Sequence, residues 1–271
     1  MSKHITLALI CTLASPCAGP ALASSSPWHD AEGGSIRLVT AGAPDGNGVI
    51  QGALQIDLKP GWKTYWLDPG DAGVPPSLDI SASSNVAAAD MSFPAPRRFD
   101  DGFAKWAGYD EPVSFPLAFT LSDPKKPVTI EAKVFLGICE TICIPVQATL
   151  SVDPSNDPDN ADDASVIQAA RDALPEPAGA DFGVSVVSGG KDEVVVKAAF
   201  AGEPGSVDFF LAGTEGYQFG PPERHEKDGG LIFSMPILQR PDKVPEKGAL
   251  HYTLVTAAGA VTGTLPYPPA P

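Results

Sequence analysis

The sequence is short of histidine, cysteine and methionine, on which many hydrolytic and metal-dependent sites are built. Its 271 residues include four histidines, four cysteines and three methionines. His29, His225 and His251 lie far apart and read as surface or strand histidines rather than general bases. No G-x-S-x-G, H-E-x-x-H or P-loop pattern occurs. Zinc would need four ligands, and neither a C-x-x-C pair nor a histidine cluster supplies them. The run from Asp68 to Gly73 lacks the acidic spacing and closing Glu of a calcium loop and reads as a turn.

Positive charge is scarce as well. Eighteen Lys and Arg stand against 33 Asp and Glu, for a formal charge of −15. Such a chain is repelled by nucleic acid and by anionic membrane surfaces. Beyond the N-terminal stretch no run approaches the roughly 20 apolar residues that cross a bilayer. These shortages argue against a nucleic-acid partner and a direct membrane span. Nothing in the sequence calls for a bound cofactor or metal.

What is present begins with a leader. Lys3 and His4 precede an apolar stretch from Ile5 to Leu13, and small residues end in Ala21-Leu22-Ala23. This is the pattern of a secretory signal peptide over residues 1–23 with an A-x-A cleavage site. Lipidation at Cys17 is disfavoured by Pro16. Cleavage would remove Cys11, Cys17 and Lys3, moving the formal charge from −15 to −16. The expected location is periplasmic, where disulfides form.

With 29 Pro and 27 Gly, long helices are disfavoured and turns must be frequent. Apolar runs bounded by Pro, Gly, Asp or Asn predict strands at 35–40, 49–58, 62–67, 86–93, 113–121, 128–137 and 144–152. In Leu54-Gln55-Ile56-Asp57-Leu58 apolar and polar residues alternate, as a half-buried sandwich strand requires. The run 153–163 is acidic and proline-broken and reads as a linker. Val166, Ile167, Ala170 and Leu174 then fall at helical spacing, which predicts a short helix over 164–174. A second strand-rich set follows, at 182–187, 194–200, 207–211, 231–236, 250–256 and 261–265. The fold class expected is all-β, with two immunoglobulin-like β-sandwich domains, 24–152 and 181–271, joined by an acidic linker and short helix over 153–180.

Only Cys139 and Cys143 would survive cleavage of the leader. Along one extended strand their Cα atoms would lie about 13 Å apart, whereas a disulfide needs about 4.4–6.8 Å. If they bond, the chain must turn between them, as a hairpin with Glu140-Thr141-Ile142 at its tip. Closing a loop of about five residues stabilises a fold by only about 2 kcal/mol. Such a bridge is a poor staple, and a redox role fits it better. An inert hairpin disulfide and a Cu(I) site on the two thiolates remain the alternatives. Met91 and Met235, the thioether donors, are distant from the pair in sequence.

A set of motifs then carries a resemblance. The run Gly61-Trp62-Lys63-Thr64-Tyr65-Trp66-Leu67-Asp68-Pro69-Gly70-Asp71-Ala72-Gly73-Val74-Pro75-Pro76 is followed by Phe93-Pro94-Ala95-Pro96, by Gly108-Tyr109 and by Cys139-Glu140-Thr141-Ile142-Cys143-Ile144-Pro145. Over roughly residues 35–152 this resembles the N-terminal periplasmic domain of the DsbD family, particularly its ScsB-like branch. The resemblance implies a thiol-disulfide oxidoreductase that relays electrons. A membrane-embedded or thioredoxin-like donor would reduce the pair, and the pair would reduce periplasmic disulfide-containing proteins. Cys139 and Cys143 would be the catalytic residues, with Cys143 forming the mixed disulfide and Cys139 resolving it. The chain shows neither membrane segments nor a thioredoxin-like domain, so the donor would be separate.

The resemblance also implies an aromatic cap loop over the cysteines, at 97–106. Phe103 is the expected cap, with Trp106 and Phe99 behind it. Asp100 and Asp101 would hold the reduced pair unreactive through their charge. Trp62, Tyr65 and Trp66 read as sandwich core and cavity wall, one of them lining the cysteine pocket.

Overall fold

A computed structural model describes residues 24–70, 73–100, 102, 105–190, 192–213, 216–227 and 230–269. The expected signal peptide lies outside the described residues, as do Asp101 and Phe103. The first eleven strands are β1 (His29–Ala31), β2 (Gly34–Ala41), β3 (Val49–Leu58), β4 (Lys63–Tyr65), β5 (Ser77–Asp79), β6 (Val86–Met91), β7 (Arg97–Asp100), β8 (Lys105–Tyr109), β9 (Val113–Leu121), β10 (Ile130–Cys139) and β11 (Cys143–Val152). They form two antiparallel sheets, one ordered β1-β2-β3-β9-β6 and the other β11-β10-β4-β8-β7, with β5 also on β10.

Period-2 alternation puts Ile36, Leu38, Leu54, Ile56, Phe115 and Phe119 of the first sheet against Ile130, Leu136 and Ile138 of the second. The sequence places β3 and β9 at the bounds observed. It misses β1, β5, β7 and β8, and the segment expected to be a cap loop is instead largely a hairpin. Arg97 to Asp100 pair with Gly108 to Lys105.

Helix α1 (Ala161–Asp172) starts three residues earlier than the apolar spacing indicates, because Asn160 caps it. The Asn160 side chain accepts from the Asp163 backbone N–H at 3.0 Å, and Asp162 and Asp163 lie in the first turn, where they complement the helix dipole. Ile167 and Ala170 pack on Val39 and Ala53, so the helix lies on the first sandwich. Asp163 is buried, and its carboxylate accepts from Ser24 Oγ at 2.7 Å.

The remaining strands are β12 (Glu176–Pro177), β13 (Gly183–Gly189), β14 (Glu193–Ala199), β15 (Asp208–Ala212), β16 (Gln218–Phe219), β17 (Glu223–Lys227), β18 (Gly230–Gln239), β19 (Leu250–Thr256) and β20 (Gly259–Leu265). Their sheets run β12-β20-β19-β15 and β13-β14-β18-β16, with β17 on β18. The chain is therefore all-β with two sandwich-like domains. Strand β15 belongs to both cores. Phe209 and Leu211 face the second domain's interior, while Phe210 and Ala212 are buried in the first domain's.

Tyr109 shows how tightly the first core is closed. Its hydroxyl donates to the Pro94 carbonyl at 2.8 Å, and burial pushes its phenol well above the usual tyrosine range. The fold therefore favours the neutral phenol, whereas the unfolded chain ionises near pH 10. This contribution is complete below about pH 10 and is lost as pH rises toward the higher folded value. Tyr217, also raised chiefly by burial, acts in the same window. Denaturant midpoints should stay level between about pH 7 and 9.5 and fall above about pH 10, with a shallower fall in Tyr109→Phe. A profile level to pH 11 would contradict this account.

Candidate redox site

The site forms where β10 turns into β11. These strands pair antiparallel along their whole length, Ile130 opposite Val152 at one end and Cys139 opposite Cys143 at the other. The turn is closed by the Glu140 N–H donating to the Ile142 carbonyl at 3.2 Å. Register therefore places the cysteines face to face, with Cα atoms 4.1 Å apart, and they are disulfide-bonded. This is the hairpin that the reach argument requires. The two sulfurs differ in surroundings. Cys139 is 4 % exposed, whereas Cys143 is exposed beside Ile142, itself 69 % exposed at the tip.

Around Cys139 sits a small apolar cluster of Tyr65, Trp106, Val74 and Phe99. Trp106 meets the Tyr65 ring edge-on at 5.6 Å and stacks on Phe99 at 4.0 Å. Both Phe99 and Trp106 thus lie beside the pair, on β7 and β8. Asp100 points to other partners: its carboxylate accepts from the Gly102 N–H at 3.0 Å and faces Lys105 Nζ at 3.8 Å. Trp62 and Trp66 pack in the first core.

Two residues stand out: Tyr65, which the sequence offers only as one of three aromatics that could line the pocket, and Lys63, which it does not assign to the site. Tyr65 Oη lies 3.1 Å from both Cys139 Sγ and Cys143 Sγ. Disulfide sulfurs carry no proton, so the phenol is the donor. Lys63 is the register partner of Cys139 on β4, and its Nζ sits 4.8 Å over the Trp106 ring. The signal was the alternation of Lys63-Thr64-Tyr65, which puts Lys63 and Tyr65 on one face and sends Thr64 to the other. Thr64 is fully buried and donates to the Gly137 carbonyl at 2.9 Å.

Three glycines make room for the Tyr65 ring. A Cβ on Gly137 would sit 3.1 Å from it and one on Gly73 2.8 Å from it, while one on Gly108 would strike the Thr64 carbonyl. The phenol reaches the sulfurs because those neighbours have no side chains.

Residues 39–154 match the family model of the thiol:disulfide interchange protein DsbD, N-terminal. That span holds both sulfurs and their surrounding cluster. Over it the resemblance seen in the sequence holds. The chain is also similar to the crystal structure of the N-terminal periplasmic domain of ScsB from Proteus mirabilis, at 21% identity and a TM-score of 0.71. The alignment covers 90% of this chain and 99% of that one, so the shared architecture extends through the second sandwich. None of the curated proteins matches.

On reduction, the Tyr65 hydroxyl is placed to donate to either sulfur, and the Lys63 ammonium adds positive charge on the neighbouring strand. Tyr65→Phe is expected to slow alkylation of the reduced pair at pH 7 about tenfold, a loss of about 1.4 kcal/mol of charge-assisted hydrogen bonding. Lys63→Met should slow it less, and Lys63→Arg should leave it near wild type. Equal rates at pH 7 would remove both residues from the site's chemistry.

Proposed function

We propose that this protein is a periplasmic thiol-disulfide exchange protein whose Cys139–Cys143 pair carries electrons from a donor dithiol protein to oxidised protein disulfides. The observation that carries the reading is the inequality of the sulfurs: one exposed at a hairpin end, the other buried, with one phenol hydroxyl at 3.1 Å from each. Exchange needs one attackable sulfur and one protected partner. An inert staple has no use for that arrangement. The match of residues 39–154 to the DsbD N-terminal family supports the same chemistry.

In the disulfide state, a donor thiolate attacks Cys143 Sγ along the S–S axis. A donor–Cys143 disulfide forms, and the Cys139–Cys143 bond breaks. Cys139 leaves as a thiolate beside the Tyr65 hydroxyl, so charge develops where a hydrogen-bond donor already stands. The donor's second thiolate then attacks its own bridged sulfur, releasing Cys143 and leaving the donor oxidised.

The forward half is the reverse in form. The Cys143 thiolate attacks a substrate disulfide, and one substrate sulfur leaves and takes a proton. Cys139 then attacks Cys143 Sγ, which re-forms the Cys139–Cys143 bond and releases the second substrate thiol. Two electrons pass from the dithiol to the substrate, and no bound cofactor is involved. Phe99 and Trp106 wall the buried sulfur.

The test is the reduction potential of the pair, measured by equilibration with thiol-disulfide buffers and trapping of free thiols. A reversible midpoint above about −300 mV is expected, because a structural bridge lies below that value. Cys139→Ser should accumulate a mixed disulfide on Cys143 with an oxidised protein substrate, and Cys143→Ser should accumulate none. A pair that stays oxidised in strongly reducing buffer would overturn the proposal and leave a structural hairpin.

A further inference from the structure

The wall that buries Cys139 is held from the second domain. β7 is the edge of its sheet, paired among the described residues only with β8, and β15 is the edge of its own. The two edges are joined by side chains. Arg98, in the middle of β7, directs its guanidinium at β15. Nε lies 3.0 Å from Asp208 Oδ2 and Nη2 lies 3.1 Å from Asp208 Oδ1, a two-point pair. Nη2 also donates to the Phe209 carbonyl at 2.8 Å, and the guanidinium carbon sits 4.5 Å from the centre of the Phe210 ring.

Around this pair the contact continues. The Phe210 ring meets Trp66 at 5.8 Å, and the Gly213 N–H donates to Asp68 Oδ2 at 2.7 Å. The next residue along β7 is Phe99. Alternation turns it to the opposite face from Arg98, where it stacks on Trp106 in the cluster that buries Cys139. One short strand thus carries a clamp on one face and the wall of the buried sulfur on the other.

We propose that the second domain is part of the redox site, and that Arg98, gripped by Asp208 and Phe210, is a positioning residue that keeps Cys139 buried so that partner thiols meet Cys143 alone. Resting on the exchange reading above, this gives the second sandwich a task in directing which sulfur reacts. An edge hairpin secured only by its own ladder opens more readily than one tied across two domains. Releasing the tie frees Phe99 and Trp106 to move off Cys139, and the site then loses its selectivity between sulfurs.

The experiment reduces the full chain with excess phosphine, alkylates it briefly with iodoacetamide at pH 8, and measures by peptide mass spectrometry the ratio of modification at Cys143 to that at Cys139. The wild type is expected to favour Cys143 by more than about tenfold. Arg98→Gln and Asp208→Asn should each reduce that ratio at least threefold through faster modification of Cys139, with hydrogen exchange accelerated in 97–109 and unchanged in β3 and β9. Arg98→Lys keeps the charge but loses the two-point geometry, and it should fall between. It also keeps the test open should Arg98→Gln lose protection throughout the chain.

Ratios equal to wild type in Asp208→Asn and Arg98→Lys would overturn the proposal. Because the phosphine reduces even a structural bridge, the ratio is measurable whatever the potential of the pair. Failure of the clamp is therefore distinct from failure of the exchange reading.

Discussion

Everything at the site depends on the turn between β10 and β11 being tight enough to make Cys139 and Cys143 register partners. A ladder of ten facing pairs leads up to them, from Ile130–Val152 to Cys139–Cys143. Alternation along that ladder fixes which side each sulfur occupies, and a slip of one residue would send it to the other face. Val134, Leu136 and Ile138 anchor the register, each 2 % exposed or less. The buried apolar face thus sets the position of the disulfide at the exposed end of the strand pair.

The second constraint is that β15 has no free face. Phe209 and Leu211 are committed to one core, Phe210 and Ala212 to the other. A strand buried on both sides cannot turn without disturbing both interiors, so the two sandwiches hold a defined relation to one another. Polar ties at the margin, Arg98 to Asp208 and Asp68 to Gly213, then act on a surface already fixed by apolar packing. The helix is seated similarly on the first sandwich, where Ile167 and Ala170 close over Val39 and Ala53.

Legibility in the sequence follows the same physics. β3 and β9 are long, alternating strands inside a sheet, and their pattern alone states their bounds. β7 and β8 are short, and Arg97-Arg98-Phe99-Asp100 carries charge where a strand signal needs apolar residues. They are strands because they pair with one another and because Arg98 has a carboxylate waiting on a distant strand, information no local window holds. Asp162 and Asp163 read as linker acids for the same reason, since the buried partner of Asp163 is Ser24, 139 residues away. The cysteine hairpin was legible because a distance limit on the disulfide leaves no other local geometry. Tyr65 was legible only as an aromatic wall, since its role depends on where the phenol oxygen ends.

That last point bears on what the glycines of this chain do for the site. Gly73, Gly108 and Gly137 belong to three separate segments, and none touches a sulfur by a side chain of its own. Each is set where a Cβ would meet the Tyr65 ring or the backbone that carries it. Thr64 fixes the strand beneath by donating to Gly137, and Lys63 lies beside Cys139 on the face that Tyr65 shares. These residues together are thus a mould for one phenol. Thiol-disulfide exchange needs little acid-base machinery, because the sulfurs supply both nucleophile and leaving group. Under the proposed exchange, what the protein must add is one donor at the leaving sulfur, which Tyr65 is placed to supply, and exposure of the other, which the hairpin end gives Cys143.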